Sequence, residues 1–164
     1  MKDYSDLVLE IKNAWSNTYY PGDQNIFTKS SYDDEGITEY FIGTGWENHE
    51  IRDLREYCSA LPLYFTPAAF HYWIPAYLIA ALEDPDELSQ GIDAIVDSFL
   101  VQKQGSRQEN EVNNKLAHFS REQLRVTVSA IEAITEWLED PLHPDNTLKQ
   151  KRVLNFLYGK ATKV

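Results

Sequence analysis

Histidine and cysteine are the side chains in this chain that could act as a base or a nucleophile. His71 stands beside Tyr72 and Trp73, where an imidazole could serve as a general base in an aromatic pocket. A hydrogen-bonded core histidine would have the same neighbours. Cys58 would need a distant histidine as its base, and it falls on the apolar stripe of a helical pattern, where a lone cysteine acts as a small hydrophobe. No catalytic residues are therefore predicted, and the chain is not expected to be an enzyme.

Motifs for metals and nucleotides are incomplete. The four histidines include no pair at i, i+4 spacing, and the cysteine has no companion, so the pattern of a zinc site is missing. The glycines of the GTGWENHE segment lack the residues that complete a phosphate-binding loop. We expect no metal and no cofactor.

Net charge indicates which partners are excluded. The chain of 164 residues carries 26 acidic and 15 basic residues, a formal charge of −11. Such a chain would be repelled by nucleic acid and by anionic membranes, whereas a basic protein is its natural complement. Its length and its hydrophobic content of 43% predict one folded domain, residues 1–164. One cysteine and a charged N-terminus without the apolar core of a signal peptide predict a cytoplasmic protein.

Acidic residues that could bind a basic partner fall in two segments, residues 23–50 and 83–97. A buried aromatic residue within such a segment, such as Trp46 or Tyr32, could anchor the interface. The alternative is that these acids are solvated helix starts and loops without a partner. The predicted partner-binding residues are Asp23, Asp33, Asp34, Glu35, Trp46, Glu47, Glu83, Asp84, Asp86 and Glu87.

The least polar segment, Phe65–Leu82, contains no charged residue. Thr66 can cap a helix that begins at Pro67, a first position where proline is favoured. The run from there to Leu82 is shorter than the ~20 residues that cross a bilayer. It is therefore predicted to be a central helix, apolar on all sides and surrounded by the other helices.

Helical spacing of apolar residues recurs along the rest of the chain, and no segment has the alternation of a β-strand. The predicted fold is all-α, a compact bundle of six or seven helices around the central helix 67–82. Residues 103–117 are polar and are predicted to be a mobile loop. The other predicted helices cover residues 3–19, the ITEYFIG segment, residues 49–61, residues 84–103, residues 120–138 and residues 148–158.

Pro75 lies inside the predicted central helix and removes a backbone hydrogen bond to the carbonyl of His71. A kink at that point could be a matter of packing, or it could open a cleft lined by His71, Trp73 and Tyr77 and bordered by Glu83. The alternative function is thus a small-ligand-binding or enzymatic helical domain.

Several short motifs lie in order between residues 4 and 138. They are Tyr20-Pro21-Gly22-Asp23, Asn25-Ile26, Phe41, Gly43, Trp46, Phe65-Thr66-Pro67, Ala69-Phe70 and Pro75-Ala76-Tyr77-Leu78. Together they resemble a family of small bacterial proteins defined only as a domain of unknown function. The resemblance implies a single-domain soluble protein and supplies no catalytic residues.

Small acidic proteins of this kind are often immunity proteins, and by that analogy the resemblance implies a role in neutralising a toxin. The resulting hypothesis is an immunity protein that occludes the active site of a basic toxin domain, such as a nuclease with a cationic cleft. The absence of a complete catalytic motif beside a strong charge imbalance favours this hypothesis over the ligand-binding one.

Overall fold

The computed structural model describes residues 2–28, 36–137 and 144–163. Within these residues nine α-helices follow one another, and no β-strand is present apart from an isolated antiparallel bridge between Phe27 and Phe65. One short 3-10 helix, Asp23–Asn25, and one π-helical turn, Ala60–Tyr64, lie between α-helices. The α-helices are α1 Ser5–Trp15, α2 Ile37–Phe41, α3 Ile51–Glu56, α4 Pro67–Glu83, α5 Pro85–Leu88, α6 Gly91–Ser98, α7 Arg107–Leu116, α8 Arg121–Trp137 and α9 Pro144–Ala161.

Helix α4 is the centre of the molecule, as predicted. The side chain of Thr66 accepts a hydrogen bond from the backbone N–H of Ala69 at 3.1 Å, and Pro67 occupies the first turn. Helices α1, α3, α5, α6, α7 and α8 all pack against α4, and α9 packs against α8 and α6. Thirteen of the 17 residues of α4 are buried because helices surround it on every side. The all-α fold around a central helix is confirmed.

No helix within the described residues is long and apolar enough to cross a membrane. Helix α4 is uniformly apolar because it is enclosed by protein, in agreement with the prediction for this segment.

The carbonyl group freed by Pro75 has another donor. The indole Nε1 of Trp15, on α1, donates a hydrogen bond of 2.8 Å to the backbone oxygen of His71. Trp15 is fully buried and His71 half-buried, so this bond crosses the α1–α4 interface and is partly shielded from solvent. A buried carbonyl without a donor would destabilise the fold by roughly 1–3 kcal/mol, and Trp15 removes that penalty. Helix α4 therefore continues through Pro75 to Glu83.

The predicted mobile loop at residues 103–117 is wrong over residues 107–116, most of its length, which form α7. Ser106 accepts a hydrogen bond from the backbone N–H of Glu109 at 3.2 Å, and the Glu109 carboxylate accepts one from the N–H of Gly105 at 2.6 Å. These bonds start the helix. Only Val112 and Leu116 of α7 are buried, and two apolar residues do not establish a helical period in a sequence.

The predicted helix over residues 84–103 is divided into α5 and α6. Ser89, between them, has a φ of 51°, which no helix accommodates. Gly91 then begins α6 next to the side chain of Leu88, where an added Cβ would lie only 2.7 Å from its carbon atoms. The predicted helix near the C-terminus begins earlier, at residue 144, and continues past Gly159 to Ala161.

Lys115 is a charged residue of α7 that lies largely inside the protein. Its Nζ lies 3.4 Å from the carbonyl oxygens of both Leu61 and Ser98, and 4.6 Å from the centre of the Phe70 ring. Burial lowers the pKa of Lys115 to about 8, although the carboxylate of Glu111 opposes part of the shift. The lysine thus joins α7 to the π-helical turn and to the end of α6.

This pKa predicts a pH-dependent stability. Between about pH 8 and pH 10 the unfolded chain keeps a proton on Lys115 that the folded protein has lost, so the free energy of unfolding rises with pH. Relative to a Lys115→Met variant, the native protein should gain about 2 kcal/mol over this interval. Urea denaturation of both proteins at four pH values measures the difference, in which the titration of other groups cancels. Parallel profiles would show that Lys115 is not the group responsible.

Candidate functional site

A cavity of about 170 Å³ lies between α1, the loop of residues 43–50, α3 and α4. Its floor is apolar and comes from α4, with Ala76, Ile79 and Ala80, and from Ile51 and Leu54 of α3. Charged side chains and a tryptophan line the rest of it, namely Lys12, Trp46, Glu47 and Glu83, together with His49. The cavity therefore brings together three of the predicted partner-binding residues.

The helical period of α4 explains why Glu83 belongs to this cavity. Ala76, Ile79, Ala80 and Glu83 recur at spacings of three and four residues, so they share one face of the helix. Glu83 is the last residue of α4, where the carbonyl groups at the end of the helix add to the negative potential. Glu47 comes from a different element, the loop before α3. Neither carboxylate forms an ion pair with another described residue.

His49 is held by hydrogen bonds at the wall of the cavity. The Thr44 hydroxyl donates to the carbonyl of Phe41, so it accepts from Nε2 of His49 at 3.4 Å, and Nδ1 accepts from the Tyr40 hydroxyl at 2.9 Å. Burial lowers the pKa of His49, and a hydrogen bond to the backbone of Gly45 opposes this in part. His49 is thus neutral near pH 7, and the cavity has one lysine against two carboxylates.

Two further cavities lie near the end of α4, each linked to the one before it by shared lining residues. One of about 440 Å³ shares Glu83 with the first cavity, and one of about 410 Å³ shares Lys2, Tyr4 and Leu82 with the second. We call the three together the acidic groove. Its lining includes five acids and two lysines, and Lys2 is already paired with one of the acids at 2.8 Å. The charged lining residues are Lys2, Asp3, Lys12, Glu47, Glu83, Asp86 and Glu136.

Asp84 and Glu87, also predicted to bind a partner, have structural contacts. The Asp84 carboxylate accepts a hydrogen bond from the backbone N–H of Glu87 at 3.0 Å, which caps α5. Arg55 of α3 lies 3.4 Å from the Glu87 carboxylate and donates to the Glu87 carbonyl at 3.1 Å. Asp86, by contrast, lines the groove. The acidic segment is therefore divided between helix capping, an ion pair and the groove.

Asp23 belongs to a turn that holds the loop of residues 43–50 in place. The Tyr20 hydroxyl donates to the Asp23 carboxylate at 2.7 Å and accepts from the backbone N–H of Gly43 at 2.8 Å. Gly22 adopts a φ of 93°, which a residue with a side chain rarely adopts. The turn thus fixes the start of the segment that carries Trp46 and Glu47. The predicted residues Tyr32, Asp33, Asp34 and Glu35 lie outside the described residues.

The residues of the alternative cleft are placed apart. Trp73 and Tyr77 are fully buried, Trp73 stacked on Phe65 at 5.4 Å and Tyr77 donating a hydrogen bond to the carbonyl of Tyr57 at 3.0 Å. His71 is half-buried and borders a separate cavity of about 360 Å³ together with His118. Trp73 and Tyr77 therefore belong to the core, whereas His71 reaches a surface cavity.

A hydrogen-bond network fixes the tautomer of His71. The side-chain oxygen of Gln123 accepts from the backbone N–H of Ser120, and its nitrogen donates to the carbonyl of Ala14, so the amide orientation is determined. That oxygen must therefore accept from Nε2 of His71, at 2.8 Å. Burial lowers the pKa of His71 and keeps it neutral near pH 7. His71 joins α4 to α8 through this bond.

Other reactive groups do not assemble into a further site. Among the described residues no group of three or more His, Cys, Asp or Glu side chains could hold a metal ion. Burial raises the pKa of the Cys58 thiol, so the thiol stays protonated near neutral pH. Sequence reasoning missed Lys12 and His49 in the first cavity, because nothing in the order of residues links them to Glu83. It also missed Lys2, Asp3 and Glu136 in the other two cavities of the groove.

Comparison with known proteins gives a family and no function. A search of curated proteins found no match, and a search of solved structures found none. A sequence family matches residues 5–156, which include eight of the nine α-helices in full and most of the ninth. The chain belongs to this family, the family of unknown function DUF6714.

Proposed function

We propose that this chain is a protein-binding protein whose acidic groove takes a basic protein partner. In its most specific form, the proposal is an immunity protein that neutralises a toxin domain, with a nuclease as the toxin. The observation that carries the proposal is a cavity lined by both Glu47 and Glu83 together with apolar residues of α3 and α4, in a chain of net charge −11. Charged groups at the mouth and apolar surface beneath are what a partner side chain needs for binding.

Electrostatics would act at two stages of binding. A field from an excess of 11 negative charges speeds the approach of a cationic partner and orients it. After contact, carboxylates at the groove would take the positions that substrate phosphates occupy in a nuclease, and the body of the protein would block access to the cleft. Inhibition would therefore be steric, with the carboxylates imitating phosphate charge.

Trp46 contributes to the groove as a buried aromatic residue. Only 6% of its surface is accessible, so it forms a wall of the cavity into which a partner group could insert. The ligand-binding alternative has less support, because Trp73 and Tyr77, which were expected to line its cleft, are fully buried.

A pull-down of the tagged protein from its own organism, at low and moderate salt, tests the proposal. The expected product is one basic polypeptide in stoichiometric amount, identified by mass spectrometry, whose rate of association falls steeply with ionic strength. Purified, this polypeptide should damage nucleic acid or another cell component and lose that activity on addition of one equivalent of the chain. Recovery of acidic proteins alone, or of no protein, would contradict the proposal.

A further inference from the structure

The cavity at Trp46 has the size and the lining of a binding site for one side chain of a partner. Its volume is about 170 Å³, and a protein cavity of about 150 Å³ is large enough for a benzene ring. The floor residues Leu54 and Ala80 are each 2% exposed, so a group that enters displaces water from an apolar surface. A purely apolar guest would leave the carboxylates at the rim without a partner.

The rim selects the charge of the guest. Glu47 and Glu83 are exposed carboxylates without an ion pair among the described residues, and they come from two different elements, the loop before α3 and the end of α4. Lys12 also lies at the rim, but it is an exposed lysine on a flexible stem. Because His49 is neutral, the two carboxylates and the one lysine leave the cavity with a net charge of −1, which favours a cation.

The remaining lining distinguishes between the two basic side chains. An arginine has a planar group that donates in several directions at once, so it can bind two carboxylates together, and it interacts well with aromatic rings. Trp46 lines the same cavity and places an aromatic side chain beside it. The aliphatic stem of the arginine would lie against Ile79 and Ala80. An ammonium group is a compact point charge and would use fewer of these features.

We propose that this cavity is the binding site of an arginine side chain contributed by the basic partner, and we call it the arginine site. The guanidinium group binds Glu47 and Glu83 while its stem covers the apolar face of α4. This inference rests on the proposed function, since it names the residue by which the partner is recognised.

Titration of the full chain with N-acetyl-arginine amide, monitored by NMR of the labelled protein, tests the arginine site directly. We expect shifts of the Trp46 indole and of the backbone amides of Ile79 and Ala80. The uncharged analogue N-acetyl-citrulline amide should bind at least about tenfold more weakly, because it has the same shape without the charge. Equal shifts with the two probes would overturn the proposal.

Two variants with opposite expected effects complete the test. Glu83→Gln should weaken arginine-amide binding about fivefold to tenfold, whereas Lys12→Gln should strengthen it about twofold to fivefold. Both side chains are exposed, so neither change disturbs the core. If the two variants do not change the affinity in these opposite directions, the proposed arginine site is wrong.

The two experiments distinguish failure of the arginine site from failure of the proposed function. If the probe fails to bind and the pull-down yields a basic toxin that the chain inhibits, the partner is recognised elsewhere and the arginine site is wrong. If the probe binds as expected and no protein is recovered, the cavity is a site for a small guanidinium compound, and the proposed function is wrong.

Discussion

A chain with both Glu47→Lys and Glu83→Lys should bind its basic partner at least about 100-fold more weakly than the native chain. Each change removes an attraction and introduces a repulsion at the mouth of the same cavity, and close charge pairs across interfaces contribute roughly 1.5–7 kcal/mol. Both residues are exposed and lack ion pairs among the described residues, so the melting temperature should hardly change. Calorimetric titration with the purified partner measures the loss.

The choice of these two acids follows from the structure. Reversal of the whole set Glu83, Asp84, Asp86 and Glu87 would also remove the cap of α5 and the ion pair with Arg55. A cap contributes about 1 kcal/mol to stability, so weaker binding by that variant would have two explanations.

A matched control keeps the same net charge. Glu39 on α2 and Asp93 on α6 are exposed acids that line none of the three cavities of the acidic groove. The double variant Glu39→Lys, Asp93→Lys should lose only the long-range part of the attraction, a few-fold in the association rate. If both double variants weaken binding equally, the overall field acts and the groove is not the interface.

Much of the fold follows from patterns that lie within one segment of the sequence. The bounds of α4 could be predicted to within one residue, because a capping threonine, a proline at the first turn and an uninterrupted apolar run all agree. Helix α7 could not, because its two buried residues carry too little signal. The break at Ser89 is set by how α5 and α6 pack, which no local preference of serine reveals.

The site was only partly predictable for a different reason. Composition identified Glu47 and Glu83 as candidates, but the two are 36 positions apart, and only the packing of α1 and α3 on α4 brings them to one cavity with Lys12. Asp84 lies next to Glu83 in the acidic segment of residues 83–97, and it directly precedes Pro85 at the start of α5. That local pattern is typical of a cap, and it could have separated Asp84 from the groove residues.

The contact between Trp15 and His71 leads to the largest expected effect on stability. A Trp15→Phe variant loses the indole N–H that pairs with the part-buried carbonyl of His71, and it also leaves a small cavity. The two losses together should lower the free energy of unfolding by about 3 kcal/mol. Trp73→Phe is the matched control, since Trp73 is equally buried and its Nε1 has no hydrogen-bond partner among the described residues. It should lower stability by about half as much.

Pro75 provides the decisive test of this explanation. In a Pro75→Ala background the new backbone N–H of residue 75 can donate to the His71 carbonyl, so that Trp15→Phe no longer leaves the carbonyl without a donor. The volume lost at Trp15 is the same in both backgrounds and cancels in the double-mutant cycle. We therefore expect urea denaturation to give a coupling of about 1–2 kcal/mol, with Trp15→Phe less harmful when alanine replaces the proline. A coupling of zero would mean that Trp15 stabilises α4 by its volume alone, and that the carbonyl freed by Pro75 does not need the indole.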